Sequence, residues 1–430
     1  MASFRQYDII LLGATGYTGK LTAQYLQSIT SGVSDAPRWA IAGRSQSKLG
    51  DLAAKLKSSG GTAPSTIVIP ELTLPEVTKI AKTTKIILNT IGPYHKYSTP
   101  VVQACAESGT HYFDVTGETP WVREIIQKFE DTARRNKAVL IPEIGIESAP
   151  SDLVAFSAVK LIREVWDCGV MDMVSAVYEL KSSGASGGTL ATGLGLFDHY
   201  SAKELKESAN PFCLSPVAQR DHRHTKNPAP TTYRKTVGQR VTGVWKYPLL
   251  GTLTTSITAG PNQAIVHRSA GKYPYYYGFN FNYAEYMAVN SEATGLLISW
   301  ALMLLTVLLA FPPTRAIIKG FMKYKPGEGP TAESTKDNRF ELRAVAVAEQ
   351  LSRVPRKAFV NFVFEGGMYE LTARLMVIGA LTLLQNQDKV VKTHGFGFLT
   401  PSALGQEYID SLDRAGVKIK AKQLGDIGSK

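Results

Sequence analysis

Cysteine is scarce in this chain: Cys105, Cys168 and Cys213 are the three present in 430 residues, far apart and without a CxxC spacing. That excludes a disulfide framework or a zinc ribbon and reads as reduced thiols of a cytosolic protein. No HExxH and no Cys/His cluster offers metal ligands, so no metal is expected. Acidic residues are outnumbered, 36 against 48 Lys and Arg, for a formal charge of +12 and a pI near 9.4. Such a balance suits anionic small molecules or acidic lipid surfaces. No helix-turn-helix or zinc finger accompanies it, which argues against nucleic acid. Internal repeats and low-complexity segments are also missing. A strand-like run begins within a few residues of Met1, leaving no room for a signal or transit peptide, and a cytoplasmic location is expected.

What is present begins with that run. Ile9 to Leu12 read as a buried strand, followed by Gly13-Ala14-Thr15-Gly16-Tyr17-Thr18-Gly19 and an amphipathic helix from Lys20 to about Ser28. The GxxGxxG spacing between strand and helix brings backbone amides at a helix N-terminus close to a pyrophosphate without a Cβ in the way. A second strand, Trp39 to Ala42, ends in Gly43-Arg44-Ser45 where an NAD-binding unit places an Asp or Glu. Arg44 and Ser45 instead offer a guanidinium fork and a hydroxyl to a 2′-phosphate, which selects NADP(H) over NAD(H).

Strands are predicted at Thr66–Ile69, Lys85–Ile91, His111–Asp114 and Ala138–Ile141, alternating with helices at Lys48–Ser58, Pro75–Lys82, Thr99–Ser108 and Thr119–Asn136. This is the pattern of a parallel, doubly wound α/β sheet, a Rossmann domain over residues 1–150. A helix from Ser151 to Arg163, capped by Ser151 or Asp152, opens a second, α+β domain over 151–365. Its mostly antiparallel sheet is predicted from Met173–Leu180, Val237–Tyr247, Ala264–Arg268, Arg339–Gln350 and Ala358–Phe364. Residues 366–430 supply C-terminal helices at Tyr369–Leu384 and Ala403–Ala415. The basic stretch with Arg220, Arg223, Lys226, Arg234, Lys235 and Arg240 reads as an exposed loop or sheet edge. Leu296 to Phe311 carries no charge and is followed by Arg315, Lys319, Lys323 and Lys325. Slightly short for a span of about 20 residues, it leaves three readings: a fully buried helix, shallow insertion into a membrane or lipid-droplet surface, or a single span. Insertion without crossing is the better membrane reading, because a span would put the two halves of the second domain on opposite sides.

An ordered set of motifs resembles the saccharopine dehydrogenase-like oxidoreductases, including their trans-acting enoyl reductase members. Besides the glycine turn and Ala42-Gly-Arg-Ser45 it comprises Leu88-Asn-Thr-Ile-Gly-Pro-Tyr94, Pro100-Val-Val-Gln-Ala-Cys105 and Gly109-Thr-His-Tyr-Phe-Asp-Val-Thr-Gly-Glu118. Ala149-Pro-Ser-Asp-Leu153, Ser186-Gly-Gly-Thr189, Tyr277-Gly-Phe-Asn280, Pro326-Gly-Glu-Gly-Pro330 and Leu399-Thr-Pro-Ser402 complete it. The resemblance implies a nicotinamide-dependent reductase with C-terminal helices returning to the first domain.

The nicotinamide is expected at the carboxyl ends of the parallel strands. There Asn89 is a candidate ribose or carboxamide ligand and Gly92 and Pro93 a wall of the site. Tyr94 is the candidate proton donor, and Asp114, Glu118, Ser151 and Asp152 are candidates to line the substrate pocket. Hydride transfer to the β-carbon of an acyl or polyketide enoyl thioester, free or carrier-bound, is the favoured reaction. An imine or ketone reduction and a low-turnover cofactor-binding scaffold are the alternatives. None of the nineteen tyrosines has a lysine four residues on, which excludes the Tyr-Lys relay of short-chain dehydrogenases. Gly184-Ala-Ser-Gly-Gly188 matches GxSxG, with Asp198 and His222 downstream in hydrolase order, a weak alternative centred on Ser186. The oligomeric state is left open.

Overall fold

The computed structural model describes residues 5–181, 184, 186–217, 237–320, 327–335, 337–350 and 355–424. The Arg220 to Lys235 basic residues, His222, Lys323 and Lys325 therefore lie outside the described residues.

The first half alternates as predicted: β1 (Tyr7–Leu12), α1 (Tyr17–Thr30), β2 (Trp39–Gly43), α2 (Gln46–Ser58), β3 (Ser65–Val68), α3 (Leu74–Ala81), β4 (Thr84–Asn89), α4 (Tyr94–Tyr97), α5 (Thr99–Ser108), β5 (His111–Asp114), α6 (Thr119–Arg135), β6 (Val139–Ile141) and α7 (Ala149–Trp166). β7 (Val170–Lys181), α8 (Gly187–His199), α9 (Ala202–Ser208), α10 (Val237–Thr242), β8 (Trp245–Tyr247), β9 (Gly251–Thr254), α11 (Ala259–Lys272), α12 (Pro274–Tyr277), β10 (Asn282–Val289), α13 (Glu292–Ala310) and α14 (Pro312–Gly320) follow. The chain continues with α15 (Ala332–Thr335), β11 (Arg339–Ala348), β12 (Lys357–Glu365), α16 (Met368–His394), β13 (Gly397–Phe398), α17 (Gly405–Arg414) and β14 (Lys418–Leu424).

The first sheet has the order β13-β6-β5-β4-β1-β2-β3 with every pairing parallel. Strand order reverses between β1 and β4, so the crevice for a ligand opens at their carboxyl ends. β1 shows why the strands are apolar throughout. Ile9 and Leu11 point into the core shared with α1, α2 and α16, while Ile10 and Leu12 point into the core under α3, α5 and α6. A strand covered on both faces has no polar side. α16 packs on α1, and β13 extends the sheet beside β6, so these parts of the C-terminal segment return to the first layer, while its last element, the strand β14, pairs with β12 in the second sheet.

The second sheet has the order β14-β12-β11-β7-β10-β9-β8, antiparallel except for β7 against β10. Two expected strands are corrected. Val237–Tyr247 divides into α10 and the short β8, and Ala264–Arg268 lies within α11. α11 is buried from Ala264 through Ala270, so its sequence lacks the polar face that marks a helix. The apolar core is continuous from the first sheet through α7 to Phe340 and Phe362 of the second.

α13 inverts the usual arrangement. Its buried positions are Gly295 and Ser299, held to β9 and its exit by Thr254 Oγ1 on the Gly295 carbonyl at 2.7 Å and by Thr255 Oγ1 beside Ser299 Oγ at 3.3 Å. Leu297, Trp300, Met303, Leu304 and Val307 are all more than half exposed.

Candidate active site at the carboxyl edge of the first sheet

Each glycine of the first turn has a different task. Gly13 has φ +83°, and a β-carbon there would stand 2.6 Å from Ile91 and 2.9 Å from Thr90, because the loop after β4 lies directly over it. A β-carbon on Gly19 would meet the Gly13 carbonyl oxygen and stand 2.8 Å from the Ala14 backbone. Gly16, the N-cap of α1, has an ordinary φ of −72°, and the one atom near its missing β-carbon is the Gly13 carbonyl oxygen at 3.3 Å. Gly13 and Gly19 thus close the turn, and Gly16 keeps its outer side clear.

No side chain caps α1 and no acid lies in its first turn. Its leading amides have no acceptor within the helix, which makes this end a fit for a pyrophosphate. Arg44 follows β2, exposed and without an ion pair among the described residues, and Ser45 caps α2 through the Lys48 amide at 3.4 Å. The set fits a dinucleotide with a 2′-phosphate. Ala14 is buried, and Thr15 and Thr18 are half-buried. Tyr17 turns away, its hydroxyl on the Pro330 carbonyl at 2.6 Å and its ring edge-on to Tyr369 at 5.0 Å. Its place in the cofactor set is that of a backbone amide.

Several expected ligands prove to be internal ties. Asn89 is fully buried: Nδ2 donates to Ser98 Oγ at 2.8 Å and Tyr112 Oη at 3.1 Å, and Oδ1 accepts from the Ile91 amide. It shapes its loop and has no donor left for a ribose. Gly92 and Pro93, joined by a cis peptide, form the next turn, with Thr192 of α8 3.3 Å from where a Gly92 β-carbon would be. Tyr94 is buried against Trp121, and its hydroxyl lies 3.4 Å from the Asn89 carbonyl. Burial and the nearby Asp114 raise its pKa well above the ordinary value. Packing thus replaces the proton-donor role expected of Tyr94.

The four pocket candidates are likewise buried. Asp114 accepts from Tyr112 Oη at 2.8 Å and from the Thr116 and Glu143 amides, both at 3.0 Å, tying the loops after β5 and β6 together. Burial carries its pKa to about 7 despite these donors. Glu118 accepts from the Tyr94 amide at 2.6 Å and the His95 amide at 2.9 Å, and its Oε2 meets His95 Nδ1 at 2.5 Å. Ser151 and Asp152 lie inside α7, not at its cap, which is Ser148. Ser151 donates to Glu285 at 2.6 Å, while Asp152 accepts from Ser269 at 2.6 Å and the Ser402 amide at 2.8 Å. A buried carboxylate needs donors on its oxygens, and here the protein itself supplies them.

The loop after β6 brings in acids that motif reading missed. Glu143, at φ +58°, is fully buried; its Oε2 meets Ser148 Oγ at 2.7 Å and its Oε1 has no partner among the described residues. Ser148 also lies 3.2 Å from Asn262 Oδ1, whose Nδ2 donates to Glu285 at 2.6 Å, so the chain Glu143, Ser148, Asn262, Glu285 joins the two sheets. One hydroxyl proton cannot serve both Glu143 and Asn262. Burial raises the Glu143 pKa well above the carboxylate range, and a protonated Glu143 donating to Ser148 resolves the count.

Glu147, four residues on, is partly exposed and fits against the loop after β5, its carboxyl 2.5 Å from where a Gly117 β-carbon would be. Burial, then Glu118 and Glu285, raise its pKa. Among Asp114, Glu118, Glu143, Glu147 and Glu285 it is the one residue that is not buried, and it sits on the edge where the nicotinamide is expected.

The hydrolase alternative dissolves. Ser186 is buried with its amide on Tyr369 Oη at 2.6 Å, Asp198 pairs with Arg315 at 3.1 Å, and His222 lies outside the described residues. No group of three metal-ligating side chains occurs among the described residues.

Comparison with known proteins matches this geometry. Residues 9–141 match the family described as the saccharopine dehydrogenase NADP binding domain. The chain is 30% identical over 438 aligned residues to a Mycobacterium tuberculosis protein named, provisionally, as a trans-acting enoyl reductase, covering 98% of this chain and 99% of that one. A trans-acting enoyl reductase of Mycobacterium leprae is 28% identical over 440 residues, with the same coverage. Saccharopine dehydrogenase (L-Glu forming) from Saccharomyces cerevisiae shares the fold, with a TM-score of 0.55 at 12% identity over 97% of this chain and 100% of that one. The chain belongs to the saccharopine dehydrogenase-like oxidoreductases, in the group that holds the trans-acting enoyl reductases, and is an NADP-dependent oxidoreductase.

Proposed function

We propose that the protein reduces the carbon–carbon double bond of an enoyl thioester, either free or presented on a carrier, with Glu147 as the proton donor to the α-carbon. The reading is carried by one observation: a carboxyl with a raised pKa, on a residue that is not fully buried, stands at the carboxyl edge of the nucleotide-binding sheet. The full-length likeness to trans-acting enoyl reductases supports the substrate class. Bound NADPH supplies the hydride. The glycine turn and Arg44 hold its phosphates, and the loop from Asn89 to Pro93, braced from within by Asn89, walls its ring. Glu118 fixes α4 and the His95 ring behind that wall. Holding an acid at the α-carbon contributes on the order of 10²- to 10⁴-fold to such a step.

NADPH oxidation measured against enoyl thioesters, keto acids with amines, and no substrate tests the reading. Turnover confined to the enoyl thioesters is expected, and turnover confined to keto acids with amines would sink it.

We also propose that α13 enters one leaflet of a membrane or lipid-droplet surface without crossing it. Its 19 residues have a mean hydropathy of 2.2 over their most apolar window, yet only 11% of that window is buried. The strands before and after it in the chain, β10 and β11, belong to one sheet, which supports insertion over spanning. Arg315 is not part of a lipid-facing patch, because it is buried on Asp198 and the Leu309 carbonyl. Co-flotation with phospholipid vesicles is the test, and a protein that stays at the bottom of the gradient contradicts the idea.

A further inference from the structure

A cavity of about 690 Å³ lies away from the cofactor turn, between α6, α11, residues 213–217 and the end of α16. Its charges do not balance. Arg134, Arg268 and Lys272 approach Glu130 at 2.7, 3.1 and 3.8 Å, and Glu130 is the one carboxylate among the lining residues. Arg123, the fourth cation of the lining, pairs with Glu207 at 2.8 Å, so the other three sharing one anion leave a surplus of two positive charges in a partly enclosed space.

The cations are also held in place. Arg268, 4% exposed, donates to the Leu214 and Phe398 carbonyls, both at 2.9 Å, and Lys272 Nζ reaches the Phe398 carbonyl at 2.9 Å. Even so, Arg268 Nε, Tyr273 Oη and His394 Nδ1 are buried and have no hydrogen-bond partner among the described residues. A buried polar group left unpaired costs stability, and folded proteins seldom keep one without a reason. Three of them on residues that line one cavity point to a ligand that meets these groups once the side chains turn toward it, Arg268 Nε and Tyr273 Oη as donors.

We propose that this cavity binds a small organic anion, its phosphate or carboxylate head taken by Arg268, Lys272, Tyr273 and His394 and its less polar body lying against Leu214, Pro216, Val217 and Phe396. The surplus charge is visible in Lys272, which burial and then the Arg268 charge lower to about 8. Burial and the Lys272 charge lower His394 to about 4, so near neutrality its imidazole is an uncharged partner. The ligand is a second one, distinct from NADPH, because the cavity is lined by none of the residues of the glycine turn or by Arg44.

Calorimetric titration of the NADP⁺-saturated protein tests this, with inorganic phosphate, butyl phosphate and butanoate as probes. Saturation of the Rossmann site by NADP⁺ keeps these anions from binding there. One butyl phosphate or butanoate per chain is expected, with the tighter of the two naming the head group and inorganic phosphate binding more weakly than butyl phosphate. Lys272→Gln is expected to raise the dissociation constant at least tenfold. Gln127→Glu is a second variant, on an exposed residue at the rim, and keeps the test open if Lys272→Gln fails to fold. It too is expected to weaken binding severalfold by repulsion. Absence of saturable binding, or binding untouched by Gln127→Glu in a folded protein, overturns the proposal.

Discussion

The carboxyl of Glu147 fits into the space that a side chain on Gly117 would occupy, with its carbon 2.5 Å from the missing β-carbon. This contact sets the loop after β6 against the loop after β5 and fixes the acid at the carboxyl edge. Glu147→Gln keeps the shape and removes the proton, so kcat is expected to fall roughly 10²- to 10³-fold with little change in KM. Because the acid must be protonated to act, wild-type activity declines as pH rises through its raised pKa, and that alkaline limb is expected to vanish in Glu147→Gln. Gly117→Ala displaces the carboxyl and is expected to lower kcat as well. A pH–rate profile of Glu147→Gln indistinguishable from wild type would exclude Glu147 as the donor.

The glycine turn separates two functions that its motif merges. Gly19→Ala drives a methyl group into the Gly13 and Ala14 backbone and is expected to prevent correct folding. Gly16→Ala meets little and keeps an allowed φ, so it is expected to cost only about 1 kcal/mol through the weaker cap. NADPH affinity nevertheless falls, since the methyl stands where the pyrophosphate approaches. Thermal unfolding and NADPH titration of both variants check the contrast.

Arg44 is expected to discriminate between cofactors. Charge-assisted hydrogen bonds contribute about 1.5–3 kcal/mol, so Arg44→Ala should weaken NADPH roughly 10- to 100-fold. NADH, which has no 2′-phosphate, should bind the variant and the wild type alike. Equal losses for both cofactors would show that Arg44 acts on the fold and not on the phosphate.

The glycine turn, Arg44 and the parallel alternation were legible because each is a local pattern within one βα unit. The acid cluster was not. Glu118 was named from its motif, but Glu143 and Glu147 were missed: they stand on another loop and join it because β5 and β6 are neighbours, a fact of strand order that no local spacing states. Asn89, Asp114 and Asp152 show the converse: polar residues at strand and helix ends looked like ligands, whereas complete burial made them structural ties. α11 was read as a strand for a related reason. Wedged between layers, it is buried on nearly every side, and Ala264-Ile-Val-His-Arg268 carries no helical period.

Acid sensitivity is expected to have a definite source at His111. Its Nδ1 accepts from the Val139 amide at 3.0 Å and its Nε2 faces Gln387 at 3.1 Å, so the buried ring is held neutral and its pKa falls to about 4. The unfolded value is about 6.5, and the folded value lies below it. Its stabilisation is therefore complete above about pH 6.5 and is lost as pH falls toward 4, on the order of 3 kcal/mol in total. Asp114, raised to about 7, has the opposite slope in the same window. Urea unfolding of His111→Asn and wild type from pH 4 to 7 separates them: the stability gap between the two proteins should shrink as pH falls.

α13 offers a direct optical test of insertion. Trp300 is 56% exposed on the apolar side of the helix, between Leu297 and Leu304, while Gly295 and Ser299 face the protein. If that side enters lipid, Trp300 leaves water, and its emission should shift to the blue on adding vesicles and be quenched by brominated acyl chains. The other tryptophans complicate the signal, so the difference from Trp300→Phe carries the measurement. Leu297→Glu combined with Leu304→Glu places charges on the inserting side, each costing several kcal/mol in hydrocarbon. Neither residue supports the fold from its exposed position, so this variant should keep its melting temperature and NADPH binding yet fail to float. Flotation equal to wild type would mean that lipid contact lies elsewhere or that α13 is covered by another protein surface.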